Sequence, residues 1–167
     1  MKQGFTIIEF IVYIAVLAIL GGSVSVLFLW TLQAHTKAQV LQETTLAAQL
    51  AMDRIIHEVR EAESLYLSTT TQAQVSLKTV AAASLGETFG YIDFFLCQDA
   101  LCIKKEQEVP LALTPNTIEV TSLSFITIST DTNFPSLRIA MEVRHKNPNN
   151  RPELEAIVPI TSAVSLR

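Results

Sequence analysis

Residues 5–34 read FTIIEFIVYIAVLAILGGSVSVLFLWTLQA. Of residues 5–32, 21 of 28 are apolar, and residues 10–34 contain no charged side chain. As a helix that uncharged stretch rises about 37 Å, enough to cross a hydrocarbon core of about 30 Å with some tilt. A secretory signal peptide has a shorter apolar core, closed by a small-residue cleavage site. Here the run passes straight into a helical pattern at 33–38, with no Pro or Gly stop. The expectation is a membrane-spanning helix that continues beyond the membrane.

The rest of the chain is ordinary by contrast. The 167 residues are 49% apolar and 17% charged, with mean hydropathy +0.35 and formal net charge −4. Most of the excess hydropathy lies in the N-terminal run, and the remainder has a globular composition. Scarce Gly and Pro exclude collagen-like and Pro/Gly-rich chains. The acidic balance argues against direct nucleic-acid binding. Orientation is weakly signalled, since Lys2 precedes the run and Lys37 follows it.

Two features inside the run stand out. Gly21, Gly22, Ser23 and Ser25 are poor helix formers. They permit a local weak point or a close approach of a second helix, although small residues are also simply common in membrane helices. Glu9 stands among Phe5, Thr6, Ile7, Ile8 and Phe10. An ionisable group near the apolar layer costs a few kcal/mol and calls for a partner or for an exit to water at the membrane edge.

Past the run, Leu41, Thr45, Ala48, Met52, Ile55, Val59 and Ala62 fall at alternating spacings of four and three, the stripe of an amphipathic helix. Gln, Glu, Asp and Arg are placed on the opposite face, with Arg54/Glu58 and His57/Glu61 as i,i+4 pairs. His57 with Glu58 and Glu61 lacks the second His of a zinc-protease helix, so no metal site is expected. The predicted helix runs over 6–62, about 85 Å long. Its polar half needs something packed on the stripe.

From residue 65 the pattern alternates. Leu154, Ala156, Val158, Ile160, Ser162, Val164 and Leu166 form one face, and Leu137, Ile139, Met141 and Val143 another. Ile118 and Val120 give way to Leu123 and Phe125 on the other parity, which predicts a bulge near Thr121 and Ser122. Pro159 points to an edge strand. Weaker strands are predicted at 75–80, 91–97 and 101–105, and turns at 115–116, 131–135 and 147–150. The fold class expected is α+β: a long helix packed on an antiparallel sheet body. Cys97 and Cys102 would flank a four-residue hairpin loop. An even cysteine count in an exported domain favours a disulfide, with two free thiols as the alternative.

The first ten residues, Met1-Lys2-Gln3-Gly4-Phe5-Thr6-Ile7-Ile8-Glu9-Phe10, resemble the class III signal of type IV pilins and type II secretion pseudopilins. A short leader with a Lys ends in Gly, then come Phe, Thr, an Ile pair, Glu and a long apolar run. The stretch 51–62 and the order of the strands at 120–125, 137–139 and 164–167 are similar to J-type minor pseudopilins and W-type minor pilins. The resemblance implies a leader at 1–4, a transmembrane and filament-core helix at 5–34, an amphipathic half at 35–63 and a β body at 64–167. Gly4 would be the last leader residue, cut by a prepilin peptidase. Phe5 would become the N-methylated new N-terminus, and Glu9 would pair with the Phe5 amine of a neighbouring subunit. Loss of Lys2 would move the formal net charge from −4 to −5.

The function implied is a structural one: a minor pilin or pseudopilin of a type IV pilus or type II secretion pseudopilus, in an initiation or tip complex. The implied partners are the prepilin peptidase, other pilins, an inner-membrane platform protein and a cytosolic assembly ATPase. The chain would sit in the cytoplasmic membrane, N-terminus inside and body outside, before entering the filament. An alternative is a binding module of the same machinery, touching a secretion substrate, a surface or DNA. Arg138, Arg144, Lys146 and Arg151 are close in sequence but read as outward-facing solubility residues. A membrane-tethered enzyme is least favoured, because there is no phosphate-binding Gly loop, nucleophile elbow or dinucleotide glycine pattern. No cofactor is expected.

Overall fold

A computed structural model describes residues 7–80, 82–83, 86–106, 108–129 and 136–166. The expected leader with Gly4, the new terminus Phe5 and the turn at 131–135 lie outside the described residues.

Helix α1 spans Ile7–Glu61 without interruption. Among the described residues, eight strands follow in two antiparallel sheets, an α+β arrangement. Strands β1 (Ser64–Leu65), β2 (Gln74–Thr79), β3 (Gly90–Cys97), β4 (Ala100–Lys105) and β5 (Leu111–Ala112) form the first sheet in sequence order. Strands β6 (Ile118–Ser129), β7 (Ser136–His145) and β8 (Ile157–Ser165) form the second. The single sheet expected is therefore two. Among the described residues, strand β6 joins the first sheet through its connecting segments: its Val120 and Phe125 N–H groups donate to the carbonyls of Asp99, in the β3–β4 turn, and Gln72, just before β2, at 2.7 and 2.9 Å. Bulges in β6, between Val120 and Ser122 and between Thr127 and Ser129, break its register against β7. The first is the parity switch visible in the sequence.

The strand periodicities place the core. Inward residues Leu137, Ile139 and Val143 of β7 are 0% exposed. They meet Ile55 and Val59 of α1 and Val75, Leu77 and Phe94 of the first sheet in one apolar cluster. Helix α1 lies against β8, β7, β2 and a short 3₁₀ turn at Pro152–Leu154. That turn replaces the early part of the strand expected from 154, because Pro152 starts a helical turn and cannot donate to a ladder. Pro159 stands opposite Glu142 on β8, an edge strand bonded only to β7. Strands β1 and β5 were not expected, since two residues cannot display an alternation. Gly90 is needed where it stands, because a Cβ there would overlap the backbone carbonyl of Ala82.

The helix stripe is shifted at its upstream end. Val40, Thr44, Ala47 and Ala51 are buried, whereas Leu41 is 46% exposed. The body reaches this level on one flank, where the Thr117 hydroxyl donates to Glu43 at 2.9 Å. The outer face is also less polar than expected, with Leu46 and Leu50 exposed. Glu58 lies on the buried side, held by Arg54 at 2.5 Å.

Candidate functional site: a bare apolar helix with one carboxylate

Helix α1 divides at Val40. From there to Ile55 and Val59 it is seated on the body. Over 7–39 no residue is buried, although this half holds Ile7, Phe10, Ile14, Leu17, Leu20, Leu27, Phe28 and Trp30. An all-round apolar helix without a protein partner needs a bilayer or other helices around it. It is of membrane-spanning type by length and composition, and is the one such helix among the described residues.

Its hydroxyl groups are satisfied within the helix. The hydroxyls of Ser23, Ser25, Thr31 and Thr36 donate to the carbonyls of Leu20, Gly21, Leu27 and Leu32 at 2.8–3.1 Å. This back-bonding lets hydroxyls enter a medium without water. The helix also runs unbroken through Gly21 and Gly22, so the local weak point is not seen. A side chain at either glycine would meet nothing within 4 Å.

Glu9 sits in the first turn of the described helix and is exposed. The Tyr13 hydroxyl, one turn on, donates to its Oε1 at 3.3 Å. At 1.5 Å per residue, Glu9 and Trp30 lie about 31 Å apart along the axis, close to the thickness of a hydrocarbon core. In a bilayer this spacing sets the carboxylate at one boundary and the indole at the other, where amphipathic aromatic rings are favoured. Tyr13 and Trp30 were not singled out from the sequence, and the signal was their distance along the helix from the only charge in the span.

Cys97 and Cys102 are joined, with Cα atoms 5.9 Å apart. The hairpin is tighter than expected. Cys97 pairs with Ala100 across a two-residue turn at Gln98 and Asp99, and Cys102 stands opposite Phe95. The turn closes because Gln98 adopts a left-handed backbone, φ 59°. The two cysteines are thus diagonal neighbours on one face of the sheet.

The remaining polar clusters are pairs of basic and acidic side chains on the body. His57 pairs with Glu61 at 3.7 Å. Arg144 pairs with Glu119, and Arg151 with Glu153 at 2.5 Å. A backbone N–H, and then Arg151, hold the Glu153 carboxyl below the usual carboxylate range. A cleft of about 620 Å³ lies between the Gln98–Asp99 turn and the turn at 147–150, with Asp99, Glu119, Arg144, Lys146 and Glu155 on its walls. Among the described residues no three His, Cys, Asp or Glu side chains gather as a metal site would require.

No family model, curated protein or solved structure matches this chain.

Proposed function

We propose that the chain is a pilin-like filament subunit, a minor pilin or pseudopilin, whose N-terminal helix is first a membrane anchor and then part of a filament core. The observation that carries this reading is the division of α1: one continuous helix, seated on the body from Val40 onward and bare before it. A rigid coupling of this kind lets a body be moved as one piece with its membrane segment. A plain tether would not need the helix to continue into the core of the domain.

Glu9 fits both states of such a helix. A carboxylate at a bilayer boundary is tolerable, but inside a bundle of apolar helices it needs a positive partner. A neighbour's free Phe5 amine, exposed by cleavage after Gly4, supplies one and sets the axial register. The role is structural rather than catalytic. Processing would be by a prepilin peptidase, with an assembly ATPase and platform protein acting from the membrane.

Mass spectrometry of the N-terminus tests the processing step in cells that contain the peptidase. The expected species begins at an N-methylated Phe5, and a persistent Met1 would count against the reading. Glu9→Val should leave membrane insertion and cleavage intact and remove the chain from sheared filaments. Filament incorporation undiminished in that variant would exclude the register role.

A further inference from the structure

The two sulfurs of the β3–β4 hairpin are not equivalent. Cys102 is 1% exposed and sits within β4, flanked by Phe95 of β3 and Ala112 of β5. Cys97 is half-buried at the last position of β3, beside the exposed Gln98 and Asp99. Thiol–disulfide exchange proceeds by attack of one sulfur on another through a mixed disulfide, so access to the attacked sulfur governs which cysteine takes part. A partner's sulfur can reach Cys97 from the turn. At Cys102, 1% exposed, no such approach is open.

We propose that the hairpin is a directional exchange site: Cys97 is the entry cysteine for a dithiol/disulfide exchange protein on the body's side of the membrane, and Cys102 is the resolving cysteine. Oxidation runs in two exchanges. The Cys97 thiolate attacks one sulfur of the partner's disulfide, forming a Cys97–partner bond and releasing the partner's other sulfur as a thiolate. The Cys102 thiolate then attacks the Cys97 sulfur. The Cys97–Cys102 bond forms, and the partner's second sulfur leaves as a thiolate. Two electrons pass to the partner, and the two protons given up by the cysteines match its two new thiols. The diagonal placement, with Cα atoms 5.9 Å apart, brings Cys102 within reach for the second step without opening the strand ladder. The proposal is independent of the filament reading, since it needs only a body exposed to such a partner.

Full-length Cys102→Ser and Cys97→Ser chains in detergent, treated with 5,5′-dithiobis(2-nitrobenzoate), test it through the rate of chromophore release. The folded Cys102→Ser chain, which keeps Cys97, should react at least about tenfold faster than the folded Cys97→Ser chain, whose thiol reacts only after local opening. In urea the two rates should converge. Equal rates in the folded state would overturn the assignment. To guard against a misfolded variant, the reduced wild-type chain is pulsed with N-ethylmaleimide, whose thioether Cys102 cannot displace, quenched with excess free thiol and digested. The first adduct should be on Cys97. First adducts on Cys102 would refute the direction proposed.

Discussion

Replacing Ile55 with Ala should unfold the body far more readily than the same truncation in the bare half of the same helix. Ile55 is 0% exposed and lies between Ala48, Ala51, Met52 and Val59 on the seated face. Ala48 and Ala51 are too short to reach into a void there, and Met52 is the flexible neighbour on the same face. Removing three carbons forfeits about 2.5 kcal/mol of transfer free energy. A cavity that collapses only in part brings the loss to about 3–4 kcal/mol. At about 3–4 °C per kcal/mol for a domain of this size, the melting temperature should fall by roughly 10–15 °C. The assay is near-UV circular dichroism of the full chain in detergent, following the body through the Tyr66–Tyr91 pair, whose ring centroids are 5.0 Å apart. Leu17→Ala is the internal control. Leu17 is 73% exposed in the monomer, so its truncation should move the melt by less than about 2 °C. If both variants fall equally, the division of the helix at Val40 is wrong and the bare half packs on the body in solution.

Three further outcomes follow from the same geometry. Arg54→Ala strands the carboxylate of Glu58, whose side chain is 10% exposed against 44% for Arg54. The loss should be about 1–2 kcal/mol, below that of a fully buried pair because Arg54 is half in water, and Arg54→Ala combined with Glu58→Met should recover most of it in urea denaturation. Gly90→Ala drives a Cβ into the Ala82 carbonyl. It should cost about 2 kcal/mol and raise hydrogen exchange at the start of β3, with unchanged exchange arguing that the turn yields freely. Glu153 should titrate by NMR below the ordinary glutamate value, since its folded pKa is lowered. Its small contribution to stability is present above the unfolded pKa and lost as pH falls through the folded one. Arg151→Gln should raise the midpoint only in part, because the backbone N–H is the larger cause.

Much of the body was legible because its strands are half-buried. Alternation along β7 and β8 assigns the inward residues Ile139 and Val143, and Val158 and Val164, without reference to any neighbour. The Thr121 bulge was visible as a parity switch. The side-chain pairs Arg54–Glu58 and His57–Glu61 were visible as i,i+4 spacings. What failed depended on neighbours. Leu41 satisfies the periodicity of the stripe, but the body does not extend over its flank, so it stays exposed. The cysteine positions alone suggest a four-residue hairpin loop, whereas the positive φ of Gln98 lets two residues close it.

The sequence alone determined the long helix, its uncharged span, the single carboxylate at Glu9 and the strand-rich body, because these follow from local periodicity and composition. Tertiary structure decided how far along the helix the body is seated, that the strands divide into two sheets, and which sulfur of the cross-link is accessible. Those properties depend on which surfaces meet across long sequence separations. Period and propensity report which face of an element is apolar, and only the packed chain shows how much of that face is covered.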